Sequence, residues 1–223
     1  SVAIMVLFEE GKLLLDDPVS KYLPAFRKQQ VLATFNEIDT TYTTVPAKSE
    51  ITIRQLLTHT SGLGYAQIGS KEANAIYAKA SLTAGIGVVG DDLLSAMNRL
   101  GKLPLMHQPG ERWTYGLNTD LLGCLVEQIA GKTLDQFFKE KIFEPLGMKD
   151  THFHLPAAKA NRLVTLYREL PGGKLEKSAG NMLNGRTITP DYPLEGSTYY
   201  SGGAGLSSTI EDYAIFLQML LNG

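Results

Sequence analysis

The sequence predicts an α+β domain in which helices far outweigh strands. Apolar residues recur at helical spacing in several separate stretches, the strongest running from Leu121 to Ile129. Residues that cap helices stand before many of these stretches, among them Thr52, Thr133 and Ser208. Strand signals are confined to a Thr-rich stretch over 29–48 and a Gly172-Gly173 pair.

Taken in order, Val2, Met5 and Phe8, with Ile4 and Leu7 beside them, read as the interior of a helix that Gly11 ends. Only Ser1 precedes it, so these residues are expected to be an excerpt of a longer domain. Asp17-Pro18 predicts a short helix with Asp as cap and Pro at the first position. Residues 29–48 show no clear period and read as loop with at most an edge strand. Thr52 caps a short helix carrying Ile53, Leu56 and Leu57, which ends in the turn His59-Thr60-Ser61-Gly62. The Ala-rich stretch 70–86 predicts a helix broken by Gly85 and Gly87. Asp91 or Asp92 starts the next, with Leu94, Met97 and Leu100.

Asn118 or Thr119 opens the strongest helix, with Leu121, Leu122, Leu125, Val126 and Ile129 as its stripe and Gly131 as its end. Thr133 caps a helix with Leu134, Phe137, Phe138 and Ile142 on one face, which Pro145 stops. Patterning weakens over 156–197, where Gly172-Gly173 marks a hairpin or a covering loop. The last helix starts with a capping box, Ser208 and Glu211, and is expected to bury Tyr213, Phe216, Leu217 and Leu220. No repeat, low-complexity tract or linker divides the chain, so residues 1–223 read as one domain.

Apolar residues make up 43% and charged residues 20% of the 223, ample for a hydrophobic core. The 21 basic and 23 acidic side chains form no basic stripe, so nucleic acid is not an expected partner. The apolar run from Val2 to Phe8 is too short to span a bilayer and lacks the flanks of a signal peptide. Cys124 is the only cysteine, so no internal disulfide forms. None of these features assigns a compartment or an oligomeric state.

No Gly-x-Ser-x-Gly nucleophile elbow occurs; the nearest approach, Tyr200-Ser201-Gly202-Gly203, lacks the leading glycine. Gly202, Gly203 and Gly205 fit neither the dinucleotide nor the Walker spacing and read as a structural turn. His59, His107, His152 and His154 form no metal-ligand motif, although His152 and His154 alternate as neighbours on one strand face would. Cys124 reads as a small core residue and Trp113 as a packed aromatic with a local partner for its N–H.

Tyr115 differs because of its setting. It follows Pro109-Gly110-Glu111-Arg112-Trp113-Thr114 and comes just before the strongest helix, so its phenol is expected at a loop-to-helix junction. A free phenol, with a pKa of about 10, is a poor base at neutral pH. A neighbouring ammonium would favour phenolate, which takes a proton from a serine and returns it to a leaving group. A buried structural tyrosine is the competing reading of the same residues.

Several segments carry a resemblance. Leu7-Phe8-Glu9-Glu10-Gly11-Lys12-Leu13 and Leu15-Asp16-Asp17-Pro18-Val19-Ser20-Lys21-Tyr22-Leu23-Pro24 resemble the segment after the catalytic Ser-x-x-Lys of class C-like serine β-lactamase homologues. Ile53-Arg54-Gln55-Leu56-Leu57-Thr58-His59-Thr60-Ser61-Gly62-Leu63 is similar to that family's most recognisable signature, as is Pro109-Gly110-Glu111-Arg112-Trp113-Thr114-Tyr115. Phe143-Glu144-Pro145-Leu146-Gly147-Met148-Lys149-Asp150-Thr151 and Gly203-Ala204-Gly205-Leu206-Ser207-Ser208-Thr209 complete the match in the family's order.

The resemblance implies a β-lactamase/transpeptidase-like fold, here mainly its helical region with the antiparallel sheet largely missing. It implies Tyr115 as the catalytic tyrosine of a bacterial serine hydrolase that works through an acyl-enzyme, with no metal or organic cofactor. No lysine has a serine three residues before it, and no Lys-Thr-Gly-like motif follows the last helix. The nucleophile and its lysine are therefore expected outside these residues, and the chain alone is expected to be inactive. Tyr115-Gly116-Leu117-Asn118-Thr119-Asp120-Leu121-Leu122-Gly123 resembles the carboxylesterase and acyltransferase members, where penicillin-cleaving relatives carry Tyr-x-Asn. Leu117 cannot donate the amide hydrogen bond of that asparagine, and Asn118 could shift into its place. Asp120 could orient Tyr115, line the pocket or cap the helix. Leu117, Asn118 and Asp120 are thus candidate pocket residues, and the expected substrate is a short-chain ester. A β-lactamase or D-alanyl-D-alanine carboxypeptidase of the same fold is the alternative, and a non-catalytic binding protein on this scaffold the second.

Overall fold

The structure, a computed structural model, describes residues 1–66, 68–82, 84–183 and 186–223. Eight α-helices and three two-stranded antiparallel pairs are described: α1 Val2–Glu9, β1 Gln30–Phe35, β2 Tyr42–Pro46, α2 Ile53–Leu57, α3 Lys71–Lys79, α4 Leu93–Leu100, α5 Asn118–Ala130, α6 Leu134–Phe138, α7 Glu144–Leu146, β3 Tyr167–Leu170, β4 Lys174–Lys177, β5 Asn181–Leu183, β6 Arg186–Ile188 and α8 Ile210–Asn222. The expected balance of many helices and little sheet is what forms.

Helix α5 is the hub. Leu121, Leu122, Cys124, Leu125 and Val126 are all buried, and α1, α2, α4 and α6 pack around it. Each fully buried leucine stabilises the fold by roughly 1.5–3 kcal/mol relative to exposure. Gly131, in the left-handed conformation at φ +66°, ends the helix as expected. Gly123 permits close packing: a Cβ there would meet Leu134 Cδ2 at 3.0 Å and Gly202 Cα at 3.2 Å. The capping boxes of Thr52 with Gln55 and of Thr133 with Gln136 both form.

Several elements differ from expectation for identifiable reasons. Helix α1 buries Ala3, Ile4 and Leu7, and leaves Met5 and Phe8 at the surface. Asp17 does not cap a helix; its carboxylate instead accepts from Leu14 N–H, Tyr22 Oη and Lys21 Nζ, and a 3-10 turn over Val19–Lys21 follows. The Thr-rich stretch is a full hairpin, β1 with β2, bulged between Leu32 and Thr34. Its outer faces are mostly exposed, which removes the alternation that reveals strands in a sequence. Helix α3 stops at Lys79 because Ser81 turns left-handed at φ 49°.

Pro145 does not stop the α6 helix. A π-helical turn over Lys139–Phe143 lets Glu144 N–H bond Lys139 O, and the helix continues as α7 to Gly147. In α8 the cap is Thr209, whose hydroxyl accepts from Asp212 N–H, while the Ser208 hydroxyl pairs with Thr151. Asp212 is the buried residue of this helix, because its carboxylate accepts from Lys149 N–H, Asp150 N–H and Thr151 Oγ1. Tyr213, Leu217 and Leu220, expected to be buried, are exposed. Tyr213 and Leu220 border a groove of about 530 Å³ between α1, the π turn and α8. Among the described residues, no carboxylate, imidazole or side-chain amine lines that groove, so its size alone does not place chemistry there.

Candidate active site

The turn after α2 and the segment before α5 are laced together by their backbones. Met106 N–H bonds Gly62 O, Gly110 N–H bonds Thr60 O, Thr114 N–H bonds His59 O and Leu117 N–H bonds Gly64 O, at 2.7, 2.7, 2.8 and 3.0 Å. Residue 115 is therefore tied down on both sides. Only glycine fits at 116, where a Cβ would lie 2.1 Å from Leu63 O. Leu105 bonds the β1 strand at Gln30 and Leu32, which anchors the far end of the segment. His107 donates Nδ1–H to Gln108 O at 2.9 Å, so its Nε2 accepts the Thr114 hydroxyl at 2.8 Å. Tyr77, fully buried in α3, accepts Gly64 N–H and holds the other wall.

On this support Tyr115 is 46% exposed, and two other rings stack against its ring. His59 stacks on it with centroids 5.8 Å apart and planes 8° from parallel, and Tyr65 at 5.5 Å and 16°. Burial pushes the Tyr65 hydroxyl up to about 12, with the Asp120 and Tyr115 charges adding to the shift. Trp113 was expected to pack, yet it is 64% exposed. Its ring is tilted against His59 at 6.1 Å and Tyr115 at 6.4 Å, and it sits on the outside of the laced turn.

Leu117 and Asn118 are fully buried and Asp120 is 1% exposed. The Asn118 amide lies between Ser61 Oγ at 2.5 Å and His59 Nδ1 at 3.1 Å, so it meets Tyr115 through the stacked imidazole. Asp120 belongs to a second constellation. Its carboxylate accepts Ser201 Oγ–H at 2.6 Å and the Gly203 N–H. Burial raises its pKa, and these hydrogen bonds oppose the rise without cancelling it. The glycine turn is structural here, since a Cβ at Gly202 would lie 2.1 Å from Thr119 O. His59, Ser61 and Tyr65 escaped the residue-level reading. The stack joins positions far apart in sequence, and no local pattern marks it.

His152 and His154 face different partners, Lys159 Nζ and Ser197 O. Among the described residues, no group of three or more His, Cys, Asp or Glu side chains is disposed to hold a metal ion, and no helix is long and apolar enough to cross a membrane.

The family model described as Beta-lactamase matches residues 1–223. The chain belongs to the beta-lactamase family. It is 36% identical over 220 residues to Protein Rv1367c of Mycobacterium tuberculosis, covering 98% of this chain and 50% of that one. Esterase EstB of Burkholderia gladioli is 32% identical over 219 residues, covering 95% and 52%. The solved structure of EstCE1, a hydrolase with promiscuous acyltransferase activity, superposes with a TM-score of 0.78 at 29% identity, covering 98% of this chain and 55% of that one. This beta-lactamase-family chain spans about half the length of the curated relatives it matches. Its helical region has the β-lactamase/transpeptidase-like fold.

Proposed function

We propose that the complete protein containing these residues is a serine hydrolase that forms an acyl-enzyme, acting on short-chain carboxylic esters with Tyr115 as proton carrier. The observation that carries this reading is a half-exposed phenol on backbone fixed at Thr114 and Leu117. The likeness of Tyr115-Gly116-Leu117-Asn118-Thr119-Asp120 to esterase members of the family supports the substrate class, as does the similarity to Esterase EstB.

In this reading a serine outside the 223 residues adds to the ester carbonyl. Its proton passes through lysine and Tyr115 to the departing alcohol, and water later cleaves the acyl-enzyme by the reverse proton path. Backbone N–H groups hold the oxyanion. Leu117, Asn118 and Asp120 shape the site from behind, since none of the three opens to solvent. The chain alone has no serine paired with a lysine in Ser-x-x-Lys and is inactive in this reading.

The test is to read the coding sequence on both sides of these residues and assay the complete product on p-nitrophenyl butyrate and nitrocefin. Ester turnover should dominate, and Tyr115→Phe should lower kcat/KM by about 100- to 10,000-fold. Dominant nitrocefin turnover would move the reading to a β-lactamase. An intact rate in Tyr115→Phe would end the role of the phenol.

A further inference from the structure

Ser61, Asn118 and His59 form a directed chain of hydrogen bonds that ends on the ring stacked against Tyr115. Its direction follows from the donors and acceptors available. Leu63 N–H donates to Ser61 Oγ at 3.1 Å, so that oxygen is an acceptor there. The Ser61 hydroxyl itself donates to Asn118 Oδ1 at 2.5 Å. With its Oδ1 on Ser61, the amide turns Nδ2–H toward His59 Nδ1 at 3.1 Å. An amide N–H needs a lone pair, so Nδ1 carries none of the imidazole's protons. The ring is the neutral Nε2–H tautomer.

Three further features hold that ring in place. His59 sits in the left-handed region at φ 55°, a conformation that few non-glycine residues adopt. Its carbonyl accepts Thr114 N–H, the residue just before Tyr115. Ser61 and Asn118 are fully buried, so the orienting pair cannot swing into solvent. Partial burial also lowers the imidazole's pKa, which keeps it neutral at pH 7.

We infer that His59 is a positioning residue for Tyr115: the Ser61–Asn118 pair sets the tautomer and plane of its imidazole, and the imidazole with Tyr65 clamps the phenol ring. The inference rests on the proposed role of Tyr115. A neutral ring is the useful state, because an imidazolium would oppose the Asn118 N–H and lose the bond that orients it. A fixed phenol plane keeps the hydroxyl on the line of proton transfer, and a misplacement of about 1 Å there can cost a hundredfold in rate.

The test uses the complete protein with 15N-labelled histidine. Long-range 1H–15N spectra at neutral pH should show His59 with Nε2 protonated and Nδ1 bare; Nδ1–H would overturn the inference. Asn118→Asp places an acceptor opposite Nδ1 and should switch His59 to the Nδ1–H or charged form. His59→Asn keeps a residue that tolerates positive φ and removes the ring. It should lower kcat by about 10- to 100-fold with KM little changed. Should His59→Asn fail to fold, His59→Gly, which accepts the same positive φ and also removes the ring, reads the same split of kcat against KM. Loss of activity in Tyr115→Phe with an unaltered kcat in His59→Asn would overturn the clamp and leave the hydrolase reading standing. Full activity in Tyr115→Phe would instead remove the reading on which the clamp rests.

Discussion

Ser201 donates its hydroxyl proton to Asp120 across 2.6 Å, joining residues 81 positions apart. The bond ties the glycine turn before α8 to the first turn of α5, directly after the Tyr115 segment. Burial lifts the Asp120 pKa above the ordinary 3.8, and the hydrogen bonds from Ser201 and Gly203 oppose the shift. The folded state thus holds this proton more tightly than the unfolded chain. That contribution is fully present below the ordinary value and is lost as pH rises through the raised one. Asp120→Asn cannot titrate, so its stability relative to the unmodified chain should improve as pH rises. Urea unfolding at about pH 4 and about pH 8 measures the difference, and a relative stability that worsens with pH would contradict the sign.

Gly116 sets how closely the two laced turns approach. An alanine Cβ would stand 2.1 Å from Leu63 O and 2.7 Å from Leu63 C, both backbone atoms that cannot rotate aside. Gly116→Ala should therefore break the Leu117–Gly64 bond and destabilise the chain by about 3 kcal/mol. Gly196 supplies the control, since a Cβ there meets none of the described residues within 4 Å and its φ is not positive. Gly196→Ala should change stability by less than about 0.5 kcal/mol. Equal melting temperatures for the two variants would refute the close approach.

How far these relationships could be read beforehand depended on their range in sequence. Helices α2, α5 and α6 were legible because caps and apolar stripes act within a few residues, as Thr52, Thr133 and Gly131 show. The β1–β2 hairpin was not, because strands with mostly exposed faces carry no alternation. In α8 the apolar spacing of Tyr213, Leu217 and Leu220 marked a face that favours burial, but periodicity does not say what covers it. Tyr115 stood out through its junction and its resemblance to a family motif. Its neighbours His59 and Tyr65 did not, because stacking is a tertiary event with no local signature. The same holds for Asn118, whose amide faces Ser61 and His59 across 57 and 59 positions.

Cys124 offers a clock for opening of the core. It is completely buried in α5, and burial together with the nearby Glu127 and Asp92 charges pushes its thiol up to about 12. Thiolate is the reacting species, so a native chain should resist alkylation. Labelling by iodoacetamide at pH 8 should follow the unfolding rate and accelerate sharply in denaturant. Stoichiometric labelling within seconds under native conditions would mean that α5 is not the packed hub described here.

Trp113 is the only tryptophan in the 223 residues and stands 64% exposed, its ring tilted against His59 and Tyr115. An exposed indole is reached by iodide, whereas one packed in the core is not. The fluorescence of the folded chain should therefore be quenched by iodide nearly as strongly as that of the denatured chain. His59→Asn removes a ring 6.1 Å away and should change the intensity while leaving quenching accessible. Because Trp113 and Tyr115 flank Thr114, whose N–H is bonded to His59 O, the same signal reports whether the turn is still laced. Weak quenching in the folded chain would place the indole in a packed environment and undo the arrangement of rings on which the site depends.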